Sequence, residues 1–169
     1  PNYNFLSKRN FLNHLKLFNK EGIISDEDEI FFYGNKNILT FDDGLKDHLW
    51  VAEELKKRNL WGIFYIPTAP YIKRKILDVH RIHLLLGAVE GVKLYEYCNS
   101  IISEEMIPDE KREEFQKLTY IEQINYKGIS EFKRILNYFI DYTYREEIID
   151  KITKKFSFEM QVDKFYLST

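Results

Sequence analysis

"NILTFDDGLKDHLWVAEELKKRNLWGIFYIP" (Asn37–Pro67) is the stretch whose folding decides the architecture. Its opening, "NILTF", reads as a short buried strand that delivers Asp42 and Asp43 to its C-terminal end. Gly44 then lets the backbone turn sharply. "HLWVAEELKKRN" follows as a helix, with Asp47 as its expected cap. Leu49, Val51, Ala52 and Leu55 form an apolar side, and the lysines face water. "LWGIFYIP" is an uninterrupted apolar and aromatic run of strand length, stopped by Pro67. Strand, helix and strand within about thirty residues make one βαβ unit, which predicts parallel neighbours. Such strands are usually covered on both faces.

Two adjacent carboxylates at a strand end pose a physical question. Like charges repel, and burying them is costly unless something cationic sits beside them. Ligand sites in α/β folds lie at the C-terminal ends of parallel strands, where Asp42 and Asp43 stand. Adjacent residues leaving a strand point in different directions. One carboxylate can therefore hold a divalent cation while the other reaches a water or substrate on it. The plainer reading is an Asx-type turn and helix cap, for which one aspartate would suffice. The buried approach and the βαβ setting favour the cation site.

The motif "LTFDDG" (Leu39–Gly44), the helix after it and "WGIFYIP" (Trp61–Pro67) resemble the opening of the polysaccharide deacetylases, carbohydrate esterase family four, the NodB-homology domain. The resemblance covers mainly Asn37–Thr68. In place of the proline often found after the glycine, this chain has Leu45. The resemblance implies an α/β fold, a partial irregular (β/α) barrel with a large helical insertion after the second strand. It implies Asp42 as the catalytic base, Asp43 as a metal ligand, and a divalent metal ion, zinc first, as the cofactor. The implied reaction is hydrolytic deacetylation of an N-acetylated carbohydrate, a cleavage of a C–N bond outside peptides, with an O-acetylated sugar as the second choice of substrate.

That family completes its metal site with a histidine pair four residues apart, and no such pair exists here. The histidines are His14, His48, His80 and His83. His80 and His83, in "LDVHRIH", are three apart and share one helical face, a spacing compatible with metal binding. Either they substitute for the missing pair beside Asp43, or they belong to the insertion and the real pair is encoded beyond Thr169. The second is the expectation, with a second polypeptide or the missing C-terminal part completing the barrel. On that view the chain is expected to be a single incomplete domain over 1–169 with a helical insertion at 71–160, inactive alone. His14 is expected to be packed or exposed on its helix, and His48 to lie at the surface.

Elsewhere the reading is plainer. "FLSKRNFLNHLKLFNK" (Phe5–Lys20) puts Phe5, Phe11, Leu12, Leu15 and Phe18 largely on one face at helical spacing, with Ser7 as the candidate cap, and Gly22 is expected to end the helix. "SDEDE" reads as an acidic turn, "IFFYG" as a short strand or edge, and Gly34-Asn35 as a turn. From Leu77 onward "LDVHRIHLLLGAV", "VKLYEYCNSII", "PDEKREEFQKL", "SEFKRILNYFI" and "REEIIDKITKKF" read as helices, and "DKFYLS" as a later strand or the start of a helix. The many aromatics of this part, Tyr95 to Tyr144, are expected mainly in the core. Cys98 is expected to be a small buried hydrophobe.

The totals set the outer bounds. With 169 residues, 44% hydrophobic and 16% aromatic, the chain can build a core and is not disordered. Lysine plus arginine (25) nearly balances aspartate plus glutamate (27), so there is no basic footprint for nucleic acid. No apolar run is long enough to span a bilayer and no signal peptide is visible; with one cysteine, a reducing, cytoplasmic setting is expected. Two other functions compete with the deacetylase. A phosphoryl-transfer domain with an acidic strand end would space its aspartates there as Asp-x-Asp, whereas Asp42 and Asp43 are adjacent. A non-enzymatic helical interaction module would use the aspartates only to cap a helix.

Overall fold

The computed structural model describes residues 6–19, 22, 37–115 and 127–167. The expected features at 23–36, "SDEDE", "IFFYG" and the Gly34-Asn35 turn, lie outside them, as do Phe5, Tyr120 and Tyr126. The protein is mostly helical with a small two-stranded parallel sheet. Among the described residues no helix is long and apolar enough to cross a membrane. The chain divides into two compact units, one formed by Phe5–Lys75 with Gln161–Thr169 and the other by Ile76–Met160.

In the first unit, α1 (Lys8–Asn19) starts after Ser7, whose hydroxyl oxygen accepts from the Asn10 amide at 3.2 Å. Strands β1 (Leu39–Phe41) and β2 (Gly62–Phe64) run parallel in the register Leu39 to Gly62, Thr40 to Ile63 and Phe41 to Phe64. Between them lies α2 (Asp47–Lys56). Short α3 (Ala69–Lys73) follows β2, and α9 (Val162–Phe165) closes the unit. The core joins Leu15 of α1 to Val51 and Leu55 of α2 and to Leu60, with Leu39, Phe41 and Phe64 packed against them. Phe41 and Phe64, side by side in register, stack with centroids 4.8 Å apart. Phe11 meets Phe41 and Trp50 edge-on at 6.1 and 5.8 Å.

Three expectations are corrected here. β1 is half-covered rather than buried, since Leu39 and Phe41 are half-buried and Thr40 between them is exposed. Helix α2 is turned by about one residue from the expected face. Leu49 is exposed, and Glu54 takes an inward place, its carboxylate paired with Lys57 at 2.8 Å and Arg58 at 2.5 Å. Asp47 does not cap α2 either. It is the first helical residue, after Lys46 in helical conformation, and contributes negative charge at the positive end of the helix instead.

Among the described residues the regular elements of the second unit are helical: α4 (Asp78–Ala88), α5 (Gly91–Ile101), α6 (Asp109–Phe115), α7 (Ile129–Arg134) and α8 (Tyr142–Lys155). One wide π-turn, Ile135–Phe139, continues α7. Ile82, Leu85 and Leu86 of α4, Leu94 and Cys98 of α5, Phe132 and Leu136 beyond, and Ile148, Ile149 and Ile152 of α8 form one continuous core. Close approach of α5 and α7 depends on Gly128 at φ +84°, where a Cβ would lie 2.4 Å from the Val92 nitrogen. Asp141 caps α8 by accepting from the Thr143 amide at 2.8 Å. Buried Arg81 of α4 bonds Asp78 at 3.1 Å and also pairs with Asp150 of α8. Phe132 and Phe139 are in the core as expected, whereas Tyr138, Tyr142 and Tyr144 are exposed.

Candidate functional site

Parallel pairing brings the C-terminal ends of β1 and β2 to one side, and the ladder ends where the Tyr65 amide donates to the Phe41 carbonyl at 2.8 Å. Asp42 and Asp43 follow immediately. Asp42 is exposed and Asp43 half-buried. Asp43 has φ +80° and Gly44 φ +59°, two left-handed residues in succession. Aspartate tolerates that region better than most side chains, and glycine fits it freely. Gly44 is also tightly surrounded, since a Cβ there would lie 3.1 Å from Ile66 Cγ2 and 3.5 Å from the Tyr71 hydroxyl.

Asp42, Asp43, Tyr65, Ile66 and Pro67 line an open cleft of about 410 Å³. Because strand side chains alternate, Phe64 facing the core sends Tyr65 the other way, and the Tyr65 ring is 55% exposed beside the carboxylates. An acidic pair next to an exposed aromatic face can accept hydrogen bonds from hydroxyls while the ring takes an apolar face. That combination suits a sugar.

The C-terminal segment reaches the same turn. Leu45 and Tyr166 form an isolated antiparallel bridge: the Leu167 amide donates to the Gly44 carbonyl at 3.1 Å, and the Lys46 amide donates to the Phe165 carbonyl at 3.0 Å. Within "DKFYLS" the short helix α9 ends at Phe165 and Tyr166 is extended, while Ser168 lies outside the described residues.

The histidines sit as follows. His80 is buried in α4 and His83 half-buried one turn on, both in the helical unit, whereas the aspartates belong to the other. His14 is exposed on α1. His48, expected at the surface, is half-buried, its ring edge-on to Phe41 at 5.9 Å and to Phe64 at 6.0 Å. Among the described residues no three His, Cys, Asp or Glu side chains are gathered so as to hold a metal ion. A catalytic zinc takes three protein ligands, of which the resemblance places one, Asp43, at this turn.

Sequence reasoning missed Tyr65 and the Phe165–Leu167 contact. Period-two alternation across "GIFYIP" carried a signal for the first. The second is a pairing across some 120 residues of chain, and no local pattern encodes it. Compared with known proteins, the chain matches no family model, no curated protein and no solved structure.

Proposed function

We propose that the Asp42–Asp43 turn is the acidic part of the active site of a metal-dependent carbohydrate deacetylase, with β1 and β2 as the first strands of an irregular (β/α) barrel. The observation that carries this reading is the adjacent carboxylate pair at the mouth of a parallel strand pair, opening on a cleft walled by Tyr65. Asp42, the more exposed carboxylate, is the general base: it takes a proton from water as the oxygen attacks an acetyl carbonyl. Asp42 then passes that proton to the nitrogen as the tetrahedral centre collapses, the C–N bond breaks, and acetate and the free amine of the sugar are released. Tyr65 stacks on the pyranose ring and orients it. Asp43 is one ligand of the metal, zinc by resemblance. The remaining donors in this reading are imidazoles that a second polypeptide or a longer chain would supply.

The test supplies imidazole in solution to stand for those donors. Zinc binding is followed by calorimetry on the full chain, and acetate release from an N-acetylated chitooligosaccharide is measured under the same conditions. Asp43→Asn should weaken zinc binding at least tenfold. Asp42→Asn should leave binding intact while lowering acetate release by about 10²-fold or more. Zinc binding indifferent to Asp43, or turnover indifferent to Asp42, would overturn the assignment.

A further inference from the structure

We infer that Phe165–Leu167 is the positioning element of the Asp42–Asp43 turn, with Tyr166 as its anchor. Two consecutive left-handed residues, one of them not glycine, are unfavourable in isolation and persist only where surrounding structure over-determines them. The β1–β2 ladder stops at the Phe41 carbonyl, one residue before the pair. Beyond that point the turn is gripped from the far end of the chain. The Leu167 amide holds the Gly44 carbonyl, the Phe165 carbonyl holds the Lys46 amide, and Lys46 Nζ reaches the Asp163 carbonyl at 3.3 Å.

Tyr166, between those two backbone bonds, is 1% exposed. Its ring lies beside Tyr71 with centroids 6.4 Å apart, and the Tyr71 hydroxyl borders Gly44. Burying the ring therefore fixes the bridge, and the bridge fixes the carbonyl and amide on either side of Leu45. The conformation of Asp43 is set by residues that arrive only after the whole helical unit has been traversed. That the positioned pair is catalytic rests on the function proposed above; the clamp itself does not.

Nuclear magnetic resonance of the full chain tests this without any ligand. In the wild type, the Lys46 and Leu167 amides should exchange with solvent at rates within tenfold of the Tyr65 ladder amide. The Cα and Cβ shifts of Asp43 should be those of a left-handed residue. Tyr166→Ala, and separately Leu167→Pro, should move the Asp43 and Gly44 shifts and speed Lys46 exchange at least tenfold while leaving Tyr65 exchange unchanged. Tyr166→Phe should restore both. Free exchange of Lys46 and Leu167 in the wild type overturns the inference even if the variants fail to fold. So do unmoved Asp43 shifts in both variants, or acceleration of Tyr65 in step with Lys46. An intact clamp signature in a chain whose zinc binding ignores Asp43 would remove the deacetylase reading alone.

Discussion

Replacing Gly44 by alanine separates the two demands that the turn makes on its third residue. At φ +59° an L side chain costs about 1–2 kcal/mol. The new Cβ would also approach Ile66 Cγ2 to 3.1 Å, a few tenths of an ångström too close. Ile66 is more than half exposed and can give way, so this second cost is at most about 0.5–1 kcal/mol. Against both stands the restricted unfolded chain, which favours alanine by about 0.4–1 kcal/mol. The net expectation is a loss of about 1–2 kcal/mol. Both tryptophans, Trp50 and Trp61, lie in the same unit as Gly44, so their fluorescence in a urea titration reports the relevant transition. Adding Ile66→Ala should recover about 0.5 kcal/mol of the Gly44→Ala loss through a double-mutant cycle. The contrasting control is Gly87→Ala on α4, where a Cβ meets nothing within 4 Å. That change should stabilise the helical unit by up to about 0.5–1 kcal/mol. A Gly44→Ala variant as stable as wild type would show that the turn is not left-handed there, and the account of the carboxylate pair would fall with it.

Three further outcomes are expected. Arg81→Met should destabilise the helical unit by about 1–3 kcal/mol in thermal melts followed by circular dichroism. The guanidinium is buried between α4 and α8, while Asp78 and Asp150 are exposed enough to rehydrate once it is gone. Asp141 has its carboxyl held below the ordinary aspartate value by the Thr143 hydroxyl and then by the Thr143 amide. Its stabilisation of α8 is therefore complete above the unfolded value and lost as pH falls through the lower folded one. Asp141→Asn should flatten that acid limb of the stability curve, and an unchanged limb would remove Asp141 from the role. Cys98 is fully buried, which pushes its thiol up to about 12. At pH 8 it should react with a thiol reagent only as the chain unfolds, so prompt labelling of the native protein would contradict the core packing.

The βαβ unit was legible because its signals are local: two apolar runs of strand length, a helical period between them, and a proline to stop the second. Which face of α2 turns inward was not. "HLWV" offers three consecutive apolar residues, and a helix can bury any two neighbours of the three. The structure chooses Trp50 and Val51 over Leu49, which brings Glu54 inward, and that is tolerable only because Lys57 and Arg58 neutralise it one turn on. Hydrophobic spacing ranks a leucine above a glutamate at an inward position, and it cannot anticipate ion pairs that reverse the ranking. Ser7 by contrast was readable as a cap, because a cap is a contact within one turn.

The question raised by adjacent aspartates has a different answer from the one that burial suggests. Asp42 is exposed and Asp43 only half-buried, so water screens their repulsion to about 1 kcal/mol or less. No cation is needed for them to stand together. What the arrangement does need is a left-handed backbone at Asp43, the second residue after β1. An ordinary Asx-type turn or helix cap would use one aspartate and would not require a second to adopt φ +80°, nor a buried tyrosine to secure the carbonyl beyond it. The case for a site therefore lies in the expenditure of backbone strain and distant contacts on one exposed and one half-buried carboxylate, more than in their charge. If the strain is absent from Asp43 in solution, what remains is a pair of surface acids at the end of a short strand.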